Sequence, residues 1–163
     1  MSTFFVADTH FNDEDILMYE NRPFSSIKEM NQILINNWNR VVDKYDTVYV
    51  LGDFGDISFL ESLNGAKYLV KGNHDIQVND FYRSSGFKEV YDYPIVLDDF
   101  WILSHAPLYV NENMPYANLF GHVHNSPIIK DYSSHHFCVS AERISYTPVS
   151  FEFIKEKVGQ RNE

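Results

Sequence analysis

At 163 residues the chain is long enough to bury a core of its own, and one domain over residues 1–163 is expected. A hydrophobic share of 44% beside 22% charged residues excludes a fibrous or disordered chain. The formal net charge of −10 excludes general electrostatic binding to nucleic acid, and the single cysteine, Cys138, excludes an internal disulfide and a cysteine-rich zinc site.

The first apolar run, Thr3–Ala7, reads as a strand that opens onto Asp8-Thr9-His10. No basic leader precedes it and no apolar stretch approaches membrane-spanning length, so a cytoplasmic protein without a membrane partner is expected. The acidic segment from Phe11 to Tyr19 predicts a short helix starting at Asn12 or Asp13, and Asn21-Arg22-Pro23-Phe24 predicts a turn. Ser26 followed by Glu29 is a capping box, and the helix behind it carries Ile27, Met30, Leu34, Trp38 and Val41 on one face. Strand 47–51 then opens onto Gly52-Asp53-Phe54-Gly55-Asp56, and Phe59, Leu60 and Leu63 predict a short helix. Strand 66–70 opens onto Gly72-Asn73-His74-Asp75, and a brief helix around Phe81-Tyr82 stops at Gly86.

Beyond Gly86 the pattern changes. Short apolar runs at 89–91, 95–97, 100–104, 119–120, 128–129 and 137–141 predict an antiparallel sheet, with Asp98-Asp99 as a hairpin turn. Ser150 is placed to cap a last helix with Phe151, Ile154 and Val158 on one face. Alternating strand and helix followed by mostly strand predicts an α+β protein of two packed sheets with helices outside. The aromatic residues, 16% of the chain, fall mostly in these runs and read as core.

Five predicted strand ends deliver residues that bind metals or move protons. They are Asp8-Thr9-His10, Gly52-Asp53, Gly72-Asn73-His74-Asp75, His105 and Gly121-His122-Val123-His124. Five of the seven histidines lie in these loops, and a His-x-His pair beside a glycine suits chelation by one or two neighbouring ions. His135-His136 has no accompanying carboxylate or glycine turn and reads as an ordinary hydrogen-bonded pair.

In that order, these motifs resemble those of the calcineurin-like metallophosphoesterases. The resemblance covers residues 8 to 124 and implies an α/β/β/α four-layer sandwich of two mixed β-sheets flanked by helices. It implies a hydrolase with two divalent ions, Mn²⁺ foremost, with Fe, Zn, Ni or Co as other candidates. Carried over by motif, Asp8, His10, Asp53 and His124 would hold one ion, and Asp53, Asn73, His105 and His122 the other. His74 would act on the substrate, oriented by Asp75. A bridging carboxylate at Asp53 is chemically apt, because its two oxygens can serve two ions at once. Only Asp8 and Asp53 are anionic in the set, so two divalent ions would leave a residual charge of about +2 to attract phosphate.

The second motif departs from the phosphoprotein phosphatases. Gly52-Asp53-Phe54-Gly55-Asp56 continues with Ile57-Ser58, so their phosphate-gripping arginine is missing. The chain is also short for the capping insertions that select large substrates. Arg22 is the remaining candidate for a guanidinium on the substrate phosphate. The expected activity is hydrolysis of a small phosphodiester or phosphomonoester through a metal-bound hydroxide. A nucleotide pyrophosphohydrolase or nuclease with the same centre is the alternative enzyme, and a non-catalytic interaction module on this fold is the alternative from another class.

Overall fold

Strand β1 (Thr3–Val6) shows how the chain is layered. Phe4 and Val6 enter one apolar cluster, while Phe5 and the following Ala7 enter another, as the two-residue period of a strand requires. The first cluster takes in Met30, Leu34 and Trp38 of α2 (Ile27–Val41); the second takes in Leu103 and Leu119 from an opposing sheet. A strand covered on both faces needs the near-continuous apolar run seen in the sequence. The computed structural model describes residues 1–111, 113–127 and 133–160. The strand expected at Ile128-Ile129 lies outside them.

The first sheet has the order β4-β3-β2-β1-β9, with β2 at Thr47–Val50, β3 at Ala66–Val70, β4 at Glu89–Tyr91 and β9 at Val149–Ser150. Strands β1 to β4 run parallel, and β9 closes the edge antiparallel to β1. The second sheet has the order β5-β6-β7-β8, formed by Ile95–Leu97, Trp101–Leu103, Ala117–Phe120 and His136–Cys138. These are the two mixed sheets flanked by helices that the motifs imply.

The helices follow their local signals. Asp13 caps α1 (Glu14–Tyr19) by accepting from the Asp15 amide at 3.1 Å. Ser26 caps α2 through the Glu29 amide at 3.2 Å, but Glu29 returns its carboxylate to the Ser25 amide, one residue before the expected partner. The short helix expected near Phe59 is a 3₁₀ segment, Ile57–Ser62, and α3 (Asn79–Ser85) ends at Gly86 with φ 127°. Ser150 accepts from the Phe153 amide at 3.3 Å, and α4 (Phe151–Gln160) lays Phe151, Ile154 and Val158 on the core between the sheets. Among the described residues no helix is long and apolar enough to cross a membrane.

One expectation is corrected. In the second sheet only β5 and β6 are antiparallel, joined through Asp98 and Asp99, both at positive φ; β6, β7 and β8 are parallel. Short strands suggested hairpins, but the connections over 104–116 and 121–135 are long enough to carry the chain back to the starting end. The consequence is functional. The C-terminal ends of β1, β2, β3, β6 and β7 carry the five motifs, and parallel strands present those ends on a common side.

The two sheets are stitched together at that edge. The Ala7 amide donates to the Val139 carbonyl at 2.9 Å, and the Ala141 amide donates to the Ala7 carbonyl at 3.0 Å. Asn118, fully buried in β7, anchors the loop that carries His105. Its Oδ1 accepts from the Leu108 amide at 2.8 Å, and its Nδ2 donates to the Ile102 carbonyl and to Ser104 Oγ, each at 2.9 Å. Asn118→Leu would leave several of these groups buried and unpaired, at about 1–3 kcal/mol each. The variant should lose about 2–4 kcal/mol of stability, a fall in Tm on the order of 10 °C by calorimetry. A melting curve coincident with wild type would show that the loop does not depend on this residue.

Candidate metal centre

Each strand ends in a sharp change of direction. Asp8, His10, Asp53, His122 and His124 all have φ between 46° and 70°, a left-handed conformation that few residues other than glycine, asparagine and aspartate adopt readily. Such conformations persist only where surrounding contacts enforce them. Here the first two loops run side by side: the Asp8 amide donates to the Gly52 carbonyl and the His10 amide to the Asp53 carbonyl, both at 3.0 Å. Gly52 (φ 90°) and Gly72 let the loops close up. A Cβ on Gly52 would collide with His105 Nδ1, and one on Gly72 with Asp53 Oδ1.

The turns bring all seven sequence-predicted ligands together in two groups. Asp8, His10 and His124 form one, with ligand atoms within 4.8 Å of one another, and Asp53, His105 and His122 form the other. Asn73 joins the second group: its Oδ1 lies 2.9 Å from His105 Nε2 and 3.1 Å from His122 Nδ1, which are themselves 3.1 Å apart. Asp53 links the two. Its Oδ2 is 3.6 Å from His10 Nε2 and 3.4 Å from His105 Nε2.

The histidine tautomers follow from their outer partners. His10 Nδ1 faces Asp13 Oδ2 at 3.0 Å, His124 Nδ1 faces Glu142 Oε1 at 3.0 Å, and His105 Nδ1 faces the Leu51 carbonyl at 2.8 Å. An oxygen acceptor in each case puts the proton on Nδ1 and leaves Nε2 with a lone pair for a ligand. Neither Asp13 nor Glu142 was singled out from the sequence. Asp13 sits three residues from His10 and could have been found by that spacing; Glu142 has no local signal.

This donor set fits divalent ions. Asp8 Oδ1 and His10 Nε2 are buried without a hydrogen-bond partner, which is costly unless something else engages them. Separations of 2.9–3.1 Å among Asn73, His105 and His122 match neighbouring ligands in an octahedral shell with bonds of about 2.1 Å. Mixed nitrogen and oxygen donors without thiolate suit Mn²⁺, Fe²⁺ or Zn²⁺.

Burial pushes Asp8 up to about 6 and His10 down to about 4. Burial would also raise Asp53, but the hydrogen bond and charge of His105 outweigh it and hold Asp53 near about 2. His105 answers in the opposite sense: burial lowers it, and its bond to Asp53 carries it up to about 9. Protons and divalent ions therefore compete for the same lone pairs.

The sequence profile of the calcineurin-like phosphoesterases matches residues 1–157. The chain belongs to the calcineurin-like phosphoesterase family. It is 36% identical over 167 aligned positions to the "Uncharacterized protein MJ1445" of Methanocaldococcus jannaschii, covering 93% of this chain and 88% of that one. Among solved structures it is similar to the protein AQ665 of Aquifex aeolicus, with a TM-score of 0.75, 26% identity and coverage of 95% and 98%. The nuclease MPE of Pseudomonas putida shares the fold at a TM-score of 0.51 and 22% identity, over 75% of this chain and 61% of that one. Metal-dependent phosphoester hydrolysis is the general chemistry of this calcineurin-like family.

Two expectations about the phosphoesterase site are corrected. Arg22 does not reach toward substrate. Its side chain is fully buried, and it donates to the carbonyls of Asp8 (2.5 Å) and Thr9 (2.9 Å) and to Glu142 Oε1 (2.8 Å from Nε, 2.7 Å from Nη2). Asp75 does not orient His74. Its oxygens accept from the amides of Asp53 (2.7 Å), Gly72 (2.8 Å) and Phe54 (3.3 Å), so it fixes the loop that carries Asp53. His74 itself is exposed at the rim, its ring 5.1 Å from that of His10 and its amide donating to Asp53 Oδ1 at 2.9 Å. His136 hydrogen-bonds Ser133 and the Leu108 carbonyl as the ordinary reading expects, whereas His135 Nδ1 is buried without a hydrogen-bond partner among the described residues.

Because Asp53 touches both groups, Asp53→Asn should lower bound metal in both, from about two ions per chain toward none. His122→Ala should empty mainly one. Elemental analysis after dialysis against Mn²⁺ distinguishes them; two tightly held ions in Asp53→Asn would refute the shared role.

Proposed function

We propose that this phosphoesterase hydrolyses small phosphate esters, diesters in preference to phosphoproteins, with two divalent ions, Mn²⁺ being the first candidate from the family resemblance. The observation that carries the reading is Asp53 Oδ2, within 3.6 Å of a nitrogen from each donor group, where one carboxylate serves both. When bound, the two ions supply Lewis-acid activation of water and of the phosphoryl oxygens.

The chain's own residues supply the rest. Asp8 and Asp53 are the only anions among the seven donors, so the loaded centre stays positive and draws in phosphate although the protein is acidic. Asp13 and Glu142 keep Nε2 of His10 and His124 directed inward. His74, exposed beside the cluster, gives a ring proton to the departing oxygen. A small substrate is supported by a cleft of about 260 Å³ next to Asn73 and His105, walled by Tyr93, Pro94, Ala106 and Leu108. With Arg22 committed to backbone and Glu142, it supplies no phosphate grip of the protein-phosphatase kind.

Activity should vanish on treatment with chelator and return with Mn²⁺. Full turnover by metal-free protein would refute metal dependence. Phosphodiesters should turn over faster than phosphoserine peptides, and the reverse order in a substrate panel would refute the assigned class.

His74→Asn should slow alkyl phosphodiesters by ~10²–10⁴-fold and nitrophenyl esters much less, because nitrophenolate leaves without help. Equal losses on both esters would reject proton donation. Metal content should stay at wild-type level, since the His74 ring lies outside both donor groups. Asp75→Asn should act differently, reducing metal content and slowing both esters alike.

A further inference from the structure

Arg22 and Glu142 are distant in sequence, 120 residues apart, yet they meet behind one half of the metal centre. Their side chains are 0% and 4% exposed, so this is a buried ion pair. Its contacts are one-sided. Arg22 holds the carbonyls of Asp8 and Thr9, which fixes the left-handed turn presenting Asp8 and His10. Glu142 Oε1 receives both Arg22 and the His124 ring. The neighbouring Arg143 donates to the His124 carbonyl at 2.6 Å, so one short 3₁₀ segment, Ala141–Ile144, secures both ends of that ligand. Asp8, His10 and His124 make up the first donor group, to which Asp53 adds an oxygen 3.6 Å from His10 Nε2. None of the contacts of Arg22 or Glu142 goes to Asp53, Asn73, His105 or His122.

We propose that Arg22 and Glu142 form a charge-neutral clamp that assembles the Asp8–His10–His124 half of the metal centre and reaches the other half only indirectly, through Asp53 and the His122 amide bonded to Asp8 Oδ2 at 2.8 Å. The proposal rests on the reading that these residues hold a metal.

Charge explains why a pair is needed. A guanidinium is well suited to bind two carbonyls and a carboxylate together, because its donors form a planar fork. An unneutralised buried cation there would repel an incoming divalent ion, and its positive charge also opposes protonation of His10. Glu142 cancels that charge while fixing the His124 tautomer. Removing one member of a buried pair is more damaging than replacing both, since the survivor is left uncompensated. Arg22 and Glu142 are thus positioning residues, acting through the ligands.

The test is metal stoichiometry and affinity by equilibrium dialysis against Mn²⁺ with elemental analysis, on wild type, Glu142→Gln, Arg22→Met and the double variant. Wild type should bind two ions. Glu142→Gln should keep one ion at wild-type affinity and bind the other about 10–100-fold more weakly, as for loss of a carboxylate behind a ligating histidine. The double variant should recover part of that loss. The ion retained by the second group certifies that each variant has folded. If Glu142→Gln does not fold, the milder Glu142→Asp carries the same expectation. Two ions at unchanged affinity in the glutamate variants, or equal loss of both from folded protein, would overturn the clamp alone. Wild-type protein that binds no divalent ion would overturn the metal reading with it.

Discussion

Lone pairs that face one another repel until a cation is shared among them, and this molecule gathers them at a single sheet edge. Asn73 Oδ1, His105 Nε2 and His122 Nδ1 stand 2.9–3.1 Å apart with the His105 proton shared among them, while Asp8 Oδ1 and His10 Nε2 are buried with no hydrogen-bond partner. A chain selected for stability alone would have paired or removed such groups, because each unsatisfied buried atom costs about 1–3 kcal/mol. Left-handed backbone at Asp8, His10, Asp53, His122 and His124 adds strain at the same place. The opposing contribution comes from the two apolar clusters on either face of the first sheet, built around Trp38 and Met30 on one side and Phe5 and Ile154 on the other. A divalent ion held by these groups would add to it by binding the folded state alone.

The strand directions turn this local constraint into a site. Parallel strands align their C-terminal ends, so a loop after each of them contributes to one neighbourhood without reaching far. Antiparallel pairing of β6 with β7 would have placed His105 and the Gly121-His122 turn at opposite ends of the sheet. Instead the Gly121 amide donates to the His105 carbonyl at 2.8 Å, and His122 Nδ1 lies 3.1 Å from His105 Nε2. Asn118 holds the first of these loops, and the Ala7 bonds to Val139 and Ala141 lock the two sheets in register where the ligands converge. The geometry of the centre is therefore set by backbone pairing, and the ligand side chains are its end points.

That division explains what could be read from the sequence. The ligands were legible because each follows an apolar run and a turn residue, and the five loops together form an ordered pattern. The helix faces of α2 and α4 were legible from their 3.6-residue periodicity. The parallel course of β6–β8 was not, since a three-residue strand carries no signal of its partner's direction and the covering loops have no helical pattern. The supporting residues were hidden for a related reason. Arg22 reads as a turn arginine and Asp75 as the neighbour of a histidine, yet each acts on backbone atoms brought close only by folding. Glu142 meets Arg22 across 120 residues, a pairing that no local spacing announces.

The distribution of charge around the centre has a further consequence for selectivity. Arg22 and Glu142 cancel each other, so the field a substrate meets is set by the ligands, the ions they hold and the exposed His74. Two divalent ions against Asp8 and Asp53 would give a centre of about +2, set in an acidic protein. For the proposed substrate class, such a field would favour an anion that can come close and carries little further negative charge, because additional phosphates would meet an acidic surface. The neighbouring cleft, with Tyr93, Pro94 and Leu108 as walls and with Lys71 already paired to Asp92 at 2.9 Å, offers apolar surface rather than a second anion site. The small phosphodiester proposed as substrate, a single negative charge between compact uncharged groups, would meet both conditions at once, whereas a polyanion would violate the second.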